Sequence, residues 1–255
     1  MSRKQRRRTD RVTVAFLHPG KYNANFAESL KDLLFHDVAA KQRIVSHPHG
    51  QLGKQCSSGG IVDGRNKVVA AFLDETDIDW LFWVDSDMGF APDTVDRLLE
   101  AADPKERPIV GGLCFAAMTT GASSFHGIRY GTCPTLYDFV DKGVEGKVGF
   151  TARLVYPDNE VVPVAGTGSA CILIARQVLV DIREKYGDNW YTPITHPTGP
   201  TTFSEDLSFC VRAAACDHQT FVHTGIKTCH DKGFVFLDEE YFVMQEIAAG
   251  RRSAP

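Results

Sequence analysis

Two carboxylates one residue apart, Asp85 and Asp87, directly follow the apolar run Trp80-Leu81-Phe82-Trp83-Val84. Five apolar residues without polar alternation read as a strand covered on both faces. Ligands of open α/β sheets bind at the carboxyl ends of such strands, which is where these acids fall. In extended chain, residues i and i+2 project to the same side, so the pair is placed to share one hard cation, Mg²⁺ or Mn²⁺, with a bound phosphate. The plainer reading of Asp-Ser-Asp is a solvated strand-to-helix turn. The strand upstream favours the first reading, because it aims the acids into the crevice.

Three further clusters carry chemistry. Asp63-Gly64-Arg65-Asn66 stands at the start of a helix, where a guanidinium adds its donors to unpaired backbone N–H groups and suits a phosphate or nucleobase. A surface Arg with a capping Asp63 is the alternative. In Phe203-Ser204-Glu205-Asp206-Leu207, Ser204 is an N-cap and the two acids complement the helix dipole. The same position suits a general base that takes the proton of a substrate hydroxyl. Thr228-Cys229-His230-Asp231-Lys232-Gly233 offers an imidazole as a further ligand for Mn²⁺ and a lysine for diphosphate oxygens, or else is a surface turn.

The elements that must position these residues follow from periodicity. Strands are expected at 11–17, 43–46, 80–84 and 108–112, the second closed by His47-Pro48-His49-Gly50. Between them, helices are expected at 25–38, with Phe26, Leu30, Leu33, Leu34 and Val38 inward, at 63–73, and from Pro92 onward. This alternation predicts a doubly wound α/β layer over residues 11–115. Residues 116–160 read as loops and short antiparallel strands, and 161–174 returns to strand character around Gly166-Thr167-Gly168. A helix at 176–186, a long connection containing Pro193, Pro197, Gly199 and Pro200, a helix at 204–215, a strand at 219–222 and a last helix at 238–249 complete the chain.

Composition bounds the class. A hydrophobic fraction of 43% and a charged fraction of 24% exclude wholesale disorder, and no apolar run is long enough to span a membrane. The apolar stretch at 12–17 is too short for the core of a secretion signal. Seven scattered cysteines, an odd number, predict reduced thiols and a cytoplasmic location. Cys210, Cys216, Cys229 and His230 lack the close Cys pair of a structural zinc site, and Cys210 falls on the inner face of its helix. Arg3, Lys4, Arg6, Arg7, Arg8 and Arg11 against Asp10 give the first eleven residues +5, leaving −9 on the rest of a chain of net charge −4. An acidic body with a basic arm is not expected to bind nucleic acid; the arm itself suits an acidic partner or membrane surface.

The order of these clusters resembles that of the GT-A-type nucleotide-sugar glycosyltransferases, particularly the inverting, family-2-like group and its small phage and bacterial members. The matching pieces are the strand and turn from Ala15 to Gly20, Gly64-Arg65-Asn66, Asp85-Ser86-Asp87 as the DxD motif and Ile109-Val110-Gly111-Gly112. They continue with Gly166-Thr167-Gly168-Ser169-Ala170-Cys171, Glu205-Asp206 heading a helix with Arg212, and His230, and the match is weakest over 116–160. The resemblance implies a doubly wound mixed sheet flanked by helices in one catalytic domain over 12–236, with a basic tail at 1–11 and a C-terminal helix and tail at 237–255. Within it, 12–115 would form the nucleotide-sugar-binding half and 116–236 the acceptor and catalytic half.

The implied activity is metal-dependent transfer of a sugar from a nucleoside-diphosphate sugar, UDP-sugar favoured, to an acceptor hydroxyl with inversion. The acceptor stays open among glycan, lipid-linked, small-molecule and protein hydroxyls. The implied donor contacts are Pro19, Arg65, Asp85, Asp87, Gly166, Gly168 and Lys232. The divalent metal, Mn²⁺ or Mg²⁺, would be held by Asp87 and His230 with Asp85 nearby, and Asp206 would be the base, with Glu205 as the alternative. Two other readings compete: a nucleotidyltransferase, which lacks here its Gly-rich basic signature after the first strand, and a binding module without catalysis. No Walker loop and no G-x-G-x-x-G follows the first strand, so ATPase and dinucleotide dehydrogenase readings have no support.

Overall fold

The computed structural model describes residues 10–46, 56–119, 130–141, 148–195, 201–233 and 235–253. The tail at 1–9, the turn His47-Pro48-His49-Gly50 and the Pro197, Gly199 and Pro200 part of the long connection lie outside the described residues.

A seven-stranded sheet forms the centre. Its strands are β1 (Val12–Ala15), β2 (Ile44–Ser46), β3 (Trp80–Val84), β5 (Ile109–Leu113), β10 (Val161–Val164), β11 (Cys171–Ala175) and β12 (Thr220–Lys227). Their spatial order is β10-β12-β5-β11-β3-β1-β2. Smaller ladders are added by β4 (Met88–Gly89), β6 (Phe115–Thr119), β7 (Tyr130–Pro134), β8 (Tyr137–Asp141), β9 (Val148–Ala152), β13 (Cys229–Asp231) and β14 (Phe236–Leu237). β6 pairs with β7, β8 with β9, and β13 lies between β14 and β4.

The helices are α1 (Ala24–Ala39), α2 (Cys56–Glu75), α3 (Thr94–Ala101), α4 (Arg176–Tyr186), α5 (Glu205–Ala214) and α6 (Glu239–Ala248). Helix α1 is tied to α3 through Asp96, whose carboxylate meets His36 at 3.2 Å and is also met, at 2.7 Å, by Arg43 just beyond α1. Arg176 at the head of α4 donates to the carbonyls of Phe72 and Leu73 in α2, which ties those two helices together.

The apolar runs explain this arrangement. Every residue of β3, β5 and β11 is buried, as strands covered on both faces require. Full burial of each such Val, Leu, Ile or Phe contributes about 1.5–3 kcal/mol relative to exposure. The sheet is mixed rather than a simple parallel winding. β3 pairs in parallel with β1, but β11 runs antiparallel between β3 and β5. The all-apolar Cys-Ile-Leu-Ile-Ala segment fills the place that the β3–α3–β5 crossover leaves empty. Several boundaries also differ from expectation. Helix α2 begins seven residues earlier than its periodicity suggests, through a break at Gly60 with φ 70°, and Val38 on α1 is 68% exposed rather than inward. The segment around His230 is a strand, not a surface turn.

No helix among the described residues is long and apolar enough to cross a membrane.

Candidate active site at the strand ends

The Asp85–Asp87 segment is not extended. The Met88 N–H donates to the Asp85 carbonyl at 3.1 Å, closing a turn. The two acids expected to share one cation meet different side chains. Asp85 faces Arg65, and Asp87 faces His230 and Lys232.

Arg65 is the centre of the first cluster. Sequence places Arg65 at a helix start, but α2 begins at Cys56, so Arg65 lies within the helix, and only 1% of its side chain is exposed. The guanidinium carbon sits 5.3 Å from the ring centres of both Trp83 and Tyr191, a double cation–π contact. Nη2 lies 3.1 Å from Asp85 Oδ1 and 3.5 Å from Asp206 Oδ1. Burial works against the charged form of Arg65, but the carboxylates of Asp206 and Asp85 outweigh it and hold the guanidinium firmly protonated. Arg65 is therefore a positioning cation for two acids, and the direct phosphate contact expected of it is not what this geometry offers. Its neighbour Asn66 accepts from the Tyr191 N–H at 2.8 Å, fixing the ring that caps the guanidinium. Trp83 was legible as a core residue and Tyr191 carried no signal; only packing reveals them as the walls around Arg65.

Asp206 stands in the first turn of α5, whose cap is Ser204, accepting from the Leu207 N–H. Its Oδ1 is buried and accepts no hydrogen bond, although it faces Arg65. With Oδ1 turned inward to Arg65, the 22% of the side chain that stays exposed is the part able to accept a proton from a bound hydroxyl. A Cβ added at Gly168 would stand 3.8 Å from Asp206 Oδ2, so the absence of a side chain there keeps the carboxylate open on that side. Burial, reinforced by the Asp206 charge, pushes the Glu205 carboxyl above its ordinary value.

The second cluster forms because β13 pairs antiparallel with β4, with His230 opposite Met88. The Asp231 N–H also donates to the Asp87 carbonyl at 2.8 Å. Close approach of these strands needs Gly89, where a Cβ would stand 2.2 Å from Asn25 Nδ2 and 2.6 Å from Cys229 Sγ. His230 Nε2 is 2.9 Å from Asp87 Oδ2, while Nδ1 is 3.2 Å from the Phe115 carbonyl oxygen. Donation from Nδ1 to that carbonyl fixes the ring and directs Nε2 at Asp87 and Lys232, the orientation a metal-binding imidazole takes. Lys232 Nζ is 3.0 Å from Asp87 Oδ2 and 2.5 Å from His230 Nε2. Burial raises the Asp87 carboxyl, but His230 and Lys232 outweigh it and hold it below its ordinary value.

The donor set fits a divalent cation in part. Asp87 and His230 supply an oxygen and a nitrogen of suitable chemistry, and phosphate oxygens of a bound nucleotide would supply more. Among the described residues no three His, Cys, Asp or Glu side chains converge to hold a metal unaided. The reason is visible in the geometry: Asp85 is engaged by Arg65, and the third member of the Asp87–His230 cluster is an ammonium group.

The β1–α1 turn that carries Pro19 is docked on both clusters. The Asn23 N–H donates to the Ser86 carbonyl at 3.0 Å, and its Nδ2 donates to the Asp231 carbonyl at 2.9 Å. Pro19 itself is exposed beside this clamp. Asn23 carried no sequence signal, because its role depends on two segments far away in the chain.

Desolvation at the strand end pushes the Asp85 carboxyl up to about 6, against the pull of Arg65, and the charges of Asp206 and Asp87 add to the rise. In the unfolded chain the same group titrates near 3.8, so the native state holds the proton longer. Its contribution to stability is full below pH 3.8 and is lost as the pH rises through about 6. Calorimetric melting across that window is expected to show the decline in the native protein and a flatter profile in Asp85→Asn. Superimposable profiles would refute it.

No protein-family model matches the chain, and no curated protein does. Among solved structures the chain is similar to A197 from STIV, 16% identical over 90% of this chain and 91% of that one, with a TM-score of 0.49. A likeness of that size says nothing about the site.

Proposed function

We propose that the chain is a GT-A-type glycosyltransferase that moves a sugar from a nucleoside-diphosphate sugar, UDP-sugar favoured, to an acceptor hydroxyl with inversion. The observation that carries this reading is the meeting, at the strand ends, of a partly exposed carboxylate, Asp206, with the Asp87–His230–Lys232 cluster. The first suits proton abstraction from a hydroxyl, and the second suits a diphosphate with its counter-ion.

In this reading Asp206 accepts the acceptor proton as the hydroxyl oxygen attacks the anomeric carbon. Arg65 faces Asp206 and fixes its direction, while the two aromatic rings keep Arg65 itself from swinging into the crevice. Lys232 turns from Asp87 toward the phosphate oxygens when the donor enters. Asp87 and His230 Nε2 would hold Mn²⁺ or Mg²⁺, which as a Lewis acid supplies stabilisation of the negative charge on the departing nucleoside diphosphate. Asp85, engaged by Arg65, suits the hydroxyls of the donor's ribose or sugar. Gly168, beside Asp206, leaves room for the donor sugar, whereas the space at Gly166 is filled by Leu207 and Phe150.

Thermal unfolding with UDP, with Mn²⁺ and with both tests the reading. A ligand at about 100 times its Kd stabilises the native state by about 2.7 kcal/mol. The joint addition is expected to raise the melting temperature well beyond the sum of the separate shifts, and Asp87→Asn or His230→Ala to abolish that excess. Additive shifts, or an excess that survives both substitutions, would remove the basis of the proposal.

A further inference from the structure

The β8–β9 hairpin presents an aromatic face beside Asp206 for which the donor half has no use. Phe139 and Phe150 are direct cross-strand partners, their ring centres 5.3 Å apart at 75°. Phe203, two residues before Glu205, completes the set at 6.3 Å from Phe139 and 5.4 Å from Phe150. The base of the hairpin is tied to the segment under the acids: the Tyr137 N–H donates to the Gly166 carbonyl at 3.0 Å, and the Ala165 N–H to the Tyr137 carbonyl at 2.8 Å. A Cβ added at Gly166 would stand 3.0 Å from the Phe150 ring, just as one at Gly168 would stand 3.8 Å from Asp206 Oδ2. The same position at Gly166 is 2.8 Å from Leu207 Cδ2, so the Phe150 ring packs beside the residue that follows Asp206.

Three phenylalanines closing only on one another would bury all three rings. Here Phe203 is 7% exposed while Phe139 is 47% exposed, so the cluster is anchored at the α5 end and open at the hairpin end. An exposed apolar surface joined to ionisable groups is the usual composition of a ligand subsite. Its occupant must satisfy both parts. A purely apolar chain would bury the carboxylates of Glu205 and Asp206 without partners, at a desolvation cost. A fully polar one would gain nothing from the rings. A pyranose ring has one face of C–H groups and an edge of hydroxyls, and so matches the phenylalanines and the acids together.

We infer that the face formed by Phe139, Phe150 and Phe203 is the acceptor subsite, and that it takes a pyranoside whose C–H face stacks on the rings while one hydroxyl reaches Asp206. The inference rests on the transferase reading and names its acceptor as a saccharide.

Saturation-transfer NMR on the full chain, with UDP and Mn²⁺ present, tests it using methyl β-D-glucopyranoside, methyl β-D-galactopyranoside, methyl α-D-mannopyranoside and geranyl phosphate as probes. At least one pyranoside is expected to receive saturation at its ring C–H protons. Phe139→Ala is expected to weaken that binding about tenfold, and Phe139→Trp to retain it. The joint shift with UDP and Mn²⁺ is the control for fold and donor site in both variants. Loss of that shift in the unsubstituted protein overturns the transferase reading itself. With the shift present, saturation of geranyl phosphate alone, of no probe, or of a pyranoside equally in Phe139→Ala overturns the saccharide subsite.

Discussion

Asp206→Asn is expected to lower sugar transfer by about a thousandfold while leaving UDP- and Mn²⁺-dependent stabilisation intact. The amide keeps the shape of the carboxylate and its place on α5, capped through Ser204, so the helix and the donor wall stay in position. What it removes is the charged acceptor for a proton, on a side chain that faces Arg65 with one oxygen and keeps 22% of its surface exposed. Steady-state transfer together with a thermal-shift titration separates the outcomes. Transfer within a few-fold of the native rate, with donor binding intact, would assign the proton to another group. Glu205, adjacent and with its carboxyl raised by burial, is then the residue to substitute.

Arg65→Met is expected to cost about 3 kcal/mol of stability. Removing one partner from a buried ion pair leaves the others charged and unpaired, and here two carboxylates depend on one guanidinium. The lower end of the range applies because the side chains of Asp85 and Asp206 keep 32% and 22% exposure and so retain some solvation. Methionine approximates the volume between Trp83 and Tyr191, which separates the loss of charge from the opening of a cavity. Arg65→Lys is no rescue: an ammonium group cannot face two carboxylates while lying flat between two rings. Denaturant unfolding measures the change, and Asp206→Asn placed on Arg65→Met is expected to recover part of it by removing one stranded charge. A loss under about 1 kcal/mol would mean that the cluster is energetically an exposed one.

These two substitutions act on one contact from opposite sides, which is what a preorganised base requires. Arg65 contributes to stability through the carboxylates it faces, and it fixes the direction of Asp206. The second cluster is different. Lys232 meets both Asp87 and His230, the two groups that in the proposed reading would take the cation.

The strands and helices near the site were largely legible because their signals are local. Trp80–Val84 and Cys171–Ala175 are unbroken apolar runs, and Ser204 followed by two acids marks a helix start. The candidate acids were legible for the same reason: a carboxylate directly after a buried strand has few places to go. What the runs did not carry was direction. Cys171–Ala175 reads equally well in a parallel or an antiparallel ladder, and only its neighbours β3 and β5 decide. The aromatic face was also illegible, because Phe139, Phe150 and Phe203 lie on two strands and a helix lead-in with no shared period.

The sequence by itself determined which residue types stand at the ends of which elements: Asp85, Asp87, Glu205 and Asp206 after or at the start of regular structure, and His230 and Lys232 late in the chain. The tertiary structure alone decided who faces whom. Asp85 and Asp87, which an extended chain would have aimed together, meet different side chains, and the pairing of β13 with β4 joins His230 to Asp87 across 143 residues. Burial of Arg65 between two rings turns an expected phosphate ligand into a cation that faces Asp85 and Asp206. The physical reason is common to all three. Propensity and hydrophobic period act over a few residues, whereas ion pairs, ring contacts and desolvation act between surfaces that meet only when the sheet has formed.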